Sequence, residues 1–443
     1  MLFWAGIIGC FIGEAFKVRV LDLFVLYPLR LILLLAIPVF LFYPTKFRKG
    51  IWSFAFFLII MMLIYGTASL SWSPDPVLGL RIVNMLLTGF MIFLLLSRYA
   101  INQSILKNIM ILWSVIIISI NILGIYEMIN GKYLFRAVND WGGREWQLYR
   151  ISEVGWLTPR VFFPNPNEFA FINALSALVL MGWMIESHGW KRFLAFFATL
   201  MAIVMVMTSY SRAAIFGLLI GILFFGSIFI AKMKISNRIV TIYVIIVIGI
   251  LVLFKSAEFF ENTSGASGLI TKTTTSHNSE NRSNYTTASS LGTYSSSVAS
   301  GLITKTTTSS LNTERKFFYS TAFFQGTFNT MGFGKGLGAS SEIILGGSYH
   351  NYLLEILAEL GLWLFLGYLF LIIKVCIQLW HAIQQGRNIY WSCGLLASCI
   401  AFPICSAGPA SLLYVYPYWF WLTFLVAYAE NDSIESTLIV QSV

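Results

Sequence analysis

The chain has 443 residues, 58% of them apolar and only 11% charged, with a mean hydropathy of +0.77; a soluble globular enzyme of this length is excluded. Its 29 Lys and Arg outweigh 19 Asp and Glu to give a net charge of +10. In so apolar a chain that excess reflects membrane topology and anionic lipid rather than nucleic acid. The five cysteines (Cys10, Cys376, Cys393, Cys399, Cys405) lie in or beside apolar runs and form no CxxC pair, which argues against a disulfide framework or a structural zinc site.

Apolar runs fall near 1–16, 21–43, 51–69, 78–97, 105–127, 167–186, 192–209, 212–231, 238–255, 351–376, 389–407 and 410–429. Most approach the roughly 20 residues that cross a bilayer, so the expected fold is all-α and polytopic, with about twelve transmembrane helices. The first run lacks a basic n-region and reads as a short span rather than a cleavable signal. With the N-terminus inside, the inner connections hold Lys46, Arg48, Lys49, Arg98, Lys107, Lys191, Arg192, Lys232, Lys234, Arg238, Lys374 and Arg387, with Glu186 the acidic exception. The outer connections then hold Asp75, Glu127, Asp140, Glu145 and Glu153. This bias predicts that both termini are cytoplasmic.

The expected organisation is spans one to nine over 1–255 with an outer loop at 129–165, then a large outer loop at 256–349. The last three spans follow over 350–429, and a cytoplasmic tail over 430–443. The 129–165 loop carries Trp141, Trp146 and Trp156 among charges, as interfacial segments do. In the large loop SGLITKTTTS occurs at 267–276 and again at 300–309. The first copy is Ser/Thr/Asn-rich and reads as an insert that cannot bury a core. After Arg315 the second copy turns aromatic, and Phe317, Phe318, Ala322 and Phe324 suit a short amphipathic helix on the membrane.

Among four histidines only His350 lies where an ordered outer loop enters a helix; the same position suits Ser348 or His350 as a helix cap. Glu355 and Glu359 follow on one face near Asn351, and carboxylates inside a span are costly. Arg212 closes an outer helix boundary, as a snorkelling arginine or a phosphate clamp. Arg315 reads as a solvated loop charge or a cation near the headgroups, and Arg30 is an intramembrane cation that needs a partner. Gly332-Phe-Gly-Lys-Gly-Leu-Gly338 lacks the ending and context of a nucleotide loop and reads as a turn before the next helix. No Asp-x-Asp pair signals a metal-held diphosphate.

Four pieces together resemble the O-antigen ligase and O-antigen polymerase superfamily of bacterial envelope glycosyltransferases: Ser71-Trp-Ser-Pro-Asp-Pro76, Arg160 through Pro-Asn-Pro-Asn-Glu-Phe-Ala170, Ser211-Arg212-Ala-Ala, and the glycine turn followed by His350-Asn-Tyr-Leu-Leu-Glu-Ile-Leu-Ala-Glu-Leu-Gly361. The resemblance implies a metal-independent and cofactor-free transfer of a glycan from undecaprenyl diphosphate, on the periplasmic face of the bacterial inner membrane. By the family's pattern His350 is the catalytic residue, and Arg212 and Arg315 bind the substrate diphosphate; Arg160, Asn351 and Glu355 stand beside them as candidate supporting residues. The implied acceptor is lipid A–core for a ligase, the favoured expectation, or a second carrier-linked glycan for a polymerase. A protein-directed oligosaccharyltransferase is less favoured, and from another class a polytopic lipid or polysaccharide transporter stands as the alternative.

Overall fold

The computed structural model describes residues 1–13, 16, 18–20, 24–42, 50–99, 103–135, 156–232, 323–324, 327–328, 330–339, 351–409 and 411–441. The chain divides into two units, Met1–Phe229 with Lys316–Val443, and Ile230–Arg315. In the second, the described residues are 230–232, the end of a helix. The ninth expected span, the duplicated insert, Arg315 and His350 lie outside the described residues.

The described chain is helical apart from one short hairpin. The helices are α1 (Leu2–Ile12), α2 (Pro28–Phe42), α3 (Ile51–Ser69), α4 (Pro76–Tyr99), α5 (Gln103–Asn130), α6 (Pro166–Glu186), α7 (Trp190–Thr208) and α8 (Arg212–Lys232). After the large loop come α9 (Tyr352–Glu355), a π-helical turn (Ile356–Leu360), α10 (Gly361–Gln384), α11 (Ile389–Cys405) and α12 (Tyr416–Gln441). Seven segments are long and apolar enough to cross a membrane, and α1, α2 and α11 are shorter apolar helices. This is a polytopic membrane protein. Among the seven, α6 is buried most completely, and the first sixteen residues of α12 are all buried too.

Several expected boundaries move. Residues 24–27 are not helical: β1 (Val18–Val20) pairs antiparallel with β2 (Phe24–Leu26), and Pro28 then starts α2 with its preset φ and missing N–H. The last helix starts at Tyr416 rather than 410 and runs on to Gln441. Glu127 and Lys374 lie inside α5 and α10 rather than in connections.

The largest departure is the expected single span at 351–376. Tyr352 and Tyr368 meet edge to face, with ring centroids 5.9 Å apart. Sixteen residues along one straight helix would separate them by roughly 24 Å, beyond the reach of two tyrosine side chains. The chain therefore folds back at Gly361, whose φ of 86° and ψ of 174° only glycine adopts readily.

The glycine turn holds this fold-back in place. Lys335 N–H donates to Ala358 O (2.8 Å), Gly336 N–H to Glu359 O (3.1 Å), and Leu362 N–H to Gly332 O (2.8 Å). The turn also ties down the Ser71–Pro76 motif. Ser73 Oγ donates to Leu337 O (2.6 Å), Leu337 N–H donates to Ser69 Oγ (3.1 Å), and the Tyr65 hydroxyl donates to Phe333 O. So the turn reading of Gly332–Gly338 holds, as a docked strap between the end of α3 and the vertex at Gly361. Beside it Phe323 and Phe324 are helical and exposed; the other residues of the expected amphipathic helix lie outside the described residues.

Candidate active site

The segment 406–415, between α11 and α12, gathers three of the sequence motifs. Tyr352 N–H, at the start of α9, donates to Ser406 O (3.3 Å). A Cβ placed on Gly408 would stand 3.2 Å from Ser211 Oγ, 3.3 Å from Ala213 Cβ and 3.7 Å from Asn167 Cβ. The Tyr414 hydroxyl donates to Glu168 Oε1 (2.7 Å), and Ser411 hydrogen-bonds Glu355. The N-terminal ends of α6, α8, α9 and α12 therefore meet at one end of the bundle. The first N–H groups of α9 are paired within the junction, by Ser406 O, Asn351 Oδ1 and Asn351 O, and that of Glu168 in α6 by Asn165 Oδ1.

Local chemistry explains why each helix begins where it does. Asn165 Oδ1 accepts from Glu168 N–H (3.1 Å), Pro166 fills the first helical position, and Asn165 Nδ2 donates to Glu168 Oε1 (2.5 Å). This is an Asn N-cap whose side-chain amide also bonds the Glu three residues on, legible from Asn-Pro-Asn-Glu but not read from it. Asn351 Oδ1 accepts from Leu353 N–H (3.1 Å) and Leu354 N–H (3.2 Å). The cap role left open for Ser348 or His350 thus belongs to Asn351. Arg212 is the first residue of α8 and is exposed.

Buried ionisable groups surround this junction. Glu168, Glu355 and Glu359 are all buried, and Glu355 Oε2 has no hydrogen-bond partner among the described residues. Burial, reinforced by the Glu168 carboxylate beside it, pushes the Tyr414 phenol well above its ordinary range, so its proton stays in the bond to Glu168. Arg160 is buried, its guanidinium 3.9 Å from the centroid of the Tyr133 ring, and it donates from Nη1 to Pro164 O (3.4 Å). Arg30 is also buried and lies 4.5 Å over Tyr27. That ring stacks on Tyr416 at the start of α12, with the two hydroxyls hydrogen-bonded, so the expected partner of Arg30 includes an aromatic face.

Of the site residues expected from sequence, Asn351 caps α9, Glu355 is the last residue of α9 and Arg212 opens α8, and Arg160 lies in the turn leading into α6. His350 and Arg315 lie outside the described residues. Sequence reasoning missed Glu168 and Tyr414, which are 246 positions apart. It also treated Glu127 only as a topology marker.

The opposite end has its own anchors. Glu430 Oε2 accepts from Ile51 N–H (3.0 Å) and Trp52 N–H (3.4 Å), and Arg192 Nε donates to Ser187 O (2.7 Å). Lys191 and Arg192 lie in the first turn of α7 and Arg387 in the turn between α10 and α11, at that end.

No family model matches the chain. The chain is similar to the teichuronic acid biosynthesis protein TuaE of Bacillus subtilis (strain 168), with 25% identity over 452 aligned residues that cover 95% of this chain and 82% of the relative.

Proposed function

We propose that this membrane protein is a glycan-assembling glycosyltransferase that takes its donor from undecaprenyl diphosphate and extends a polysaccharide. The observation that carries the reading is the junction of four helix N-termini around residues 406–415, built from the same segments that resemble the O-antigen ligase and polymerase superfamily. Arg212 opens α8 at this junction and supplies a cation for the charge of a glycan diphosphate. The similarity to a teichuronic acid biosynthesis protein favours a carrier-linked glycan over lipid A–core as acceptor.

In the proposed reaction an acceptor hydroxyl attacks the donor's anomeric carbon. The bond from that carbon to the diphosphate oxygen breaks, and the diphosphate leaves with the electron pair. His350, which directly precedes the α9 cap Asn351, takes the hydroxyl proton as general base. Arg212 and Arg315, carried over from the family pattern, stabilise the charge growing on the leaving diphosphate. The membrane side of this reaction follows from the basic bias and is periplasmic or otherwise extracytoplasmic.

The test offers purified protein a carrier-linked glycan together with either a second carrier-linked glycan or lipid A–core. Elongated carrier-linked product is expected, with loss of about 100-fold or more in His350→Ala. Product on lipid A–core alone would make the protein a ligase. A His350→Ala rate within a few-fold of wild type would remove the base assignment. Movement of the carrier-linked glycan across the membrane without any bond formed would replace the enzyme reading with a transporter.

A further inference from the structure

Glu127 stands one turn before the end of α5 with no solvent exposure, in a segment long and apolar enough to span the membrane. A carboxylate in such a place is expensive and persists only where its hydrogen bonds are well made. Here they are. Glu127 Oε1 accepts from Leu134 N–H at 3.0 Å, and Oε2 accepts from Arg160 N–H at 3.0 Å and Val161 N–H at 2.9 Å. One side chain therefore pins two separate stretches of backbone.

What it pins is strained. Val161 has a φ of +50°, a left-handed conformation that a β-branched residue rarely takes. Such strain survives only where the surroundings over-determine it, and it concentrates at functional sites. The pinned stretches also meet through their side chains. Tyr133, next to the pinned Leu134, offers its ring to the Arg160 guanidinium at 3.9 Å. Arg160 Nη1 reaches Pro164 O, and Asn165 then caps α6. The carboxylate thus fixes the backbone of an arginine, and the ring beneath that arginine, within one short turn of the α6 N-terminus.

We infer that Glu127 is a positioning residue that sets Arg160 to contact the anionic head of the diphosphate carrier at the α6 N-terminus. This rests on the donor class proposed above. Arginine suits the task because its planar fork matches phosphate oxygens, and a fork must be aimed to do so. Glu127 acts through Arg160 and does not itself touch the carrier, so the two residues form one unit in binding.

A double-mutant cycle on the full chain in lipid nanodiscs tests this, with undecaprenyl diphosphate and undecaprenyl monophosphate as probes and melting followed in parallel. Wild type is expected to prefer the diphosphate. Arg160→Ala and Glu127→Gln should each weaken diphosphate binding by about tenfold, and the double variant by little more than either, because linked residues are not additive. Glu127→Asp keeps the charge but falls a methylene short of the three N–H groups, so it should resemble Glu127→Gln. Single losses that multiply to about 100-fold would overturn the inference. So would folded Glu127 variants that bind like wild type, or Glu127 variants that all fail to fold, since Glu127 would then be a structural anchor only. A wild-type protein that binds neither probe would instead remove the donor class itself, and this inference with it.

Discussion

Replacing Gly361 by alanine should damage the molecule far more than one methyl group suggests. Its φ of 86° with ψ of 174° lies in a region that is essentially glycine-only, which costs about 1–3 kcal/mol for any other residue. The added Cβ would also stand 2.6 Å from the carbonyl carbon of Phe333 and 2.8 Å from the backbone nitrogen of Gly334. Backbone atoms cannot swing aside as a side chain does, and overpacking of this kind costs about 1–3 kcal/mol more. The sum, about 2–6 kcal/mol, is a large part of the 5–15 kcal/mol that typically stabilises a folded protein. Gly386→Ala supplies the control. Gly386 also has a positive φ, of 76°, but a Cβ there meets nothing within 4 Å, so only conformational strain of about 1–2 kcal/mol applies. Thermal melting in nanodiscs should place Gly361→Ala roughly 4–12 °C below wild type at about 2 °C per kcal/mol, with Gly386→Ala much closer to wild type. Protease should cut the 332–338 strap faster in Gly361→Ala. Equal melting of the two variants would refute the argument, because it would mean that the strap does not grip the vertex.

Two further expectations concern single side chains. Glu430→Ala leaves the first N–H groups of α3 without their acceptor and should cost about 1–3 kcal/mol in unfolding by denaturing detergent; an unchanged midpoint would show that water replaces the carboxylate there. Tyr414→Phe keeps the ring but removes the bond to Glu168, so it should cost about 1–3 kcal/mol and be strongly non-additive with Glu168→Gln in the same assay, whereas strict additivity would separate the two residues.

The membrane architecture was legible because apolar run length translates directly into spans, and the ends of α3, α6 and α8 fall within a residue or two of the expected ones. The starts of α2 and α12 were not, because Leu23–Leu26 and Leu412–Val415 run without a charge into the helices they precede. The fold-back at Gly361 was hidden for the same reason. Hydropathy continues unbroken across it, and its one local sign is a glycine whose conformation depends on a strap some thirty residues earlier. Within the candidate site, helix openings at Arg212 and near Asn351 could be read from polar residues at apolar boundaries. The pairing of Glu168 with Tyr414 and the grip of Glu127 on Arg160 could not, because they join positions that no local periodicity connects.

The junction around residues 406–415 also sets an order of assembly. Its first two walls, the starts of α6 and α8, leave the ribosome well before the rest. The α9 piece comes later and depends on partners made later still: Tyr352 packs on Phe402 and Tyr418, and its N–H on Ser406. With only nine residues between Tyr352 and Leu360, about 14 Å of helix, this piece cannot cross a bilayer and be stitched in alone. It must wait in a half-built state until α11 and the first turns of α12 arrive. A chain that ends before Tyr418 is therefore expected to lack the assembled junction, since the contacts that hold α9 come from Phe402, Ser406 and Tyr418.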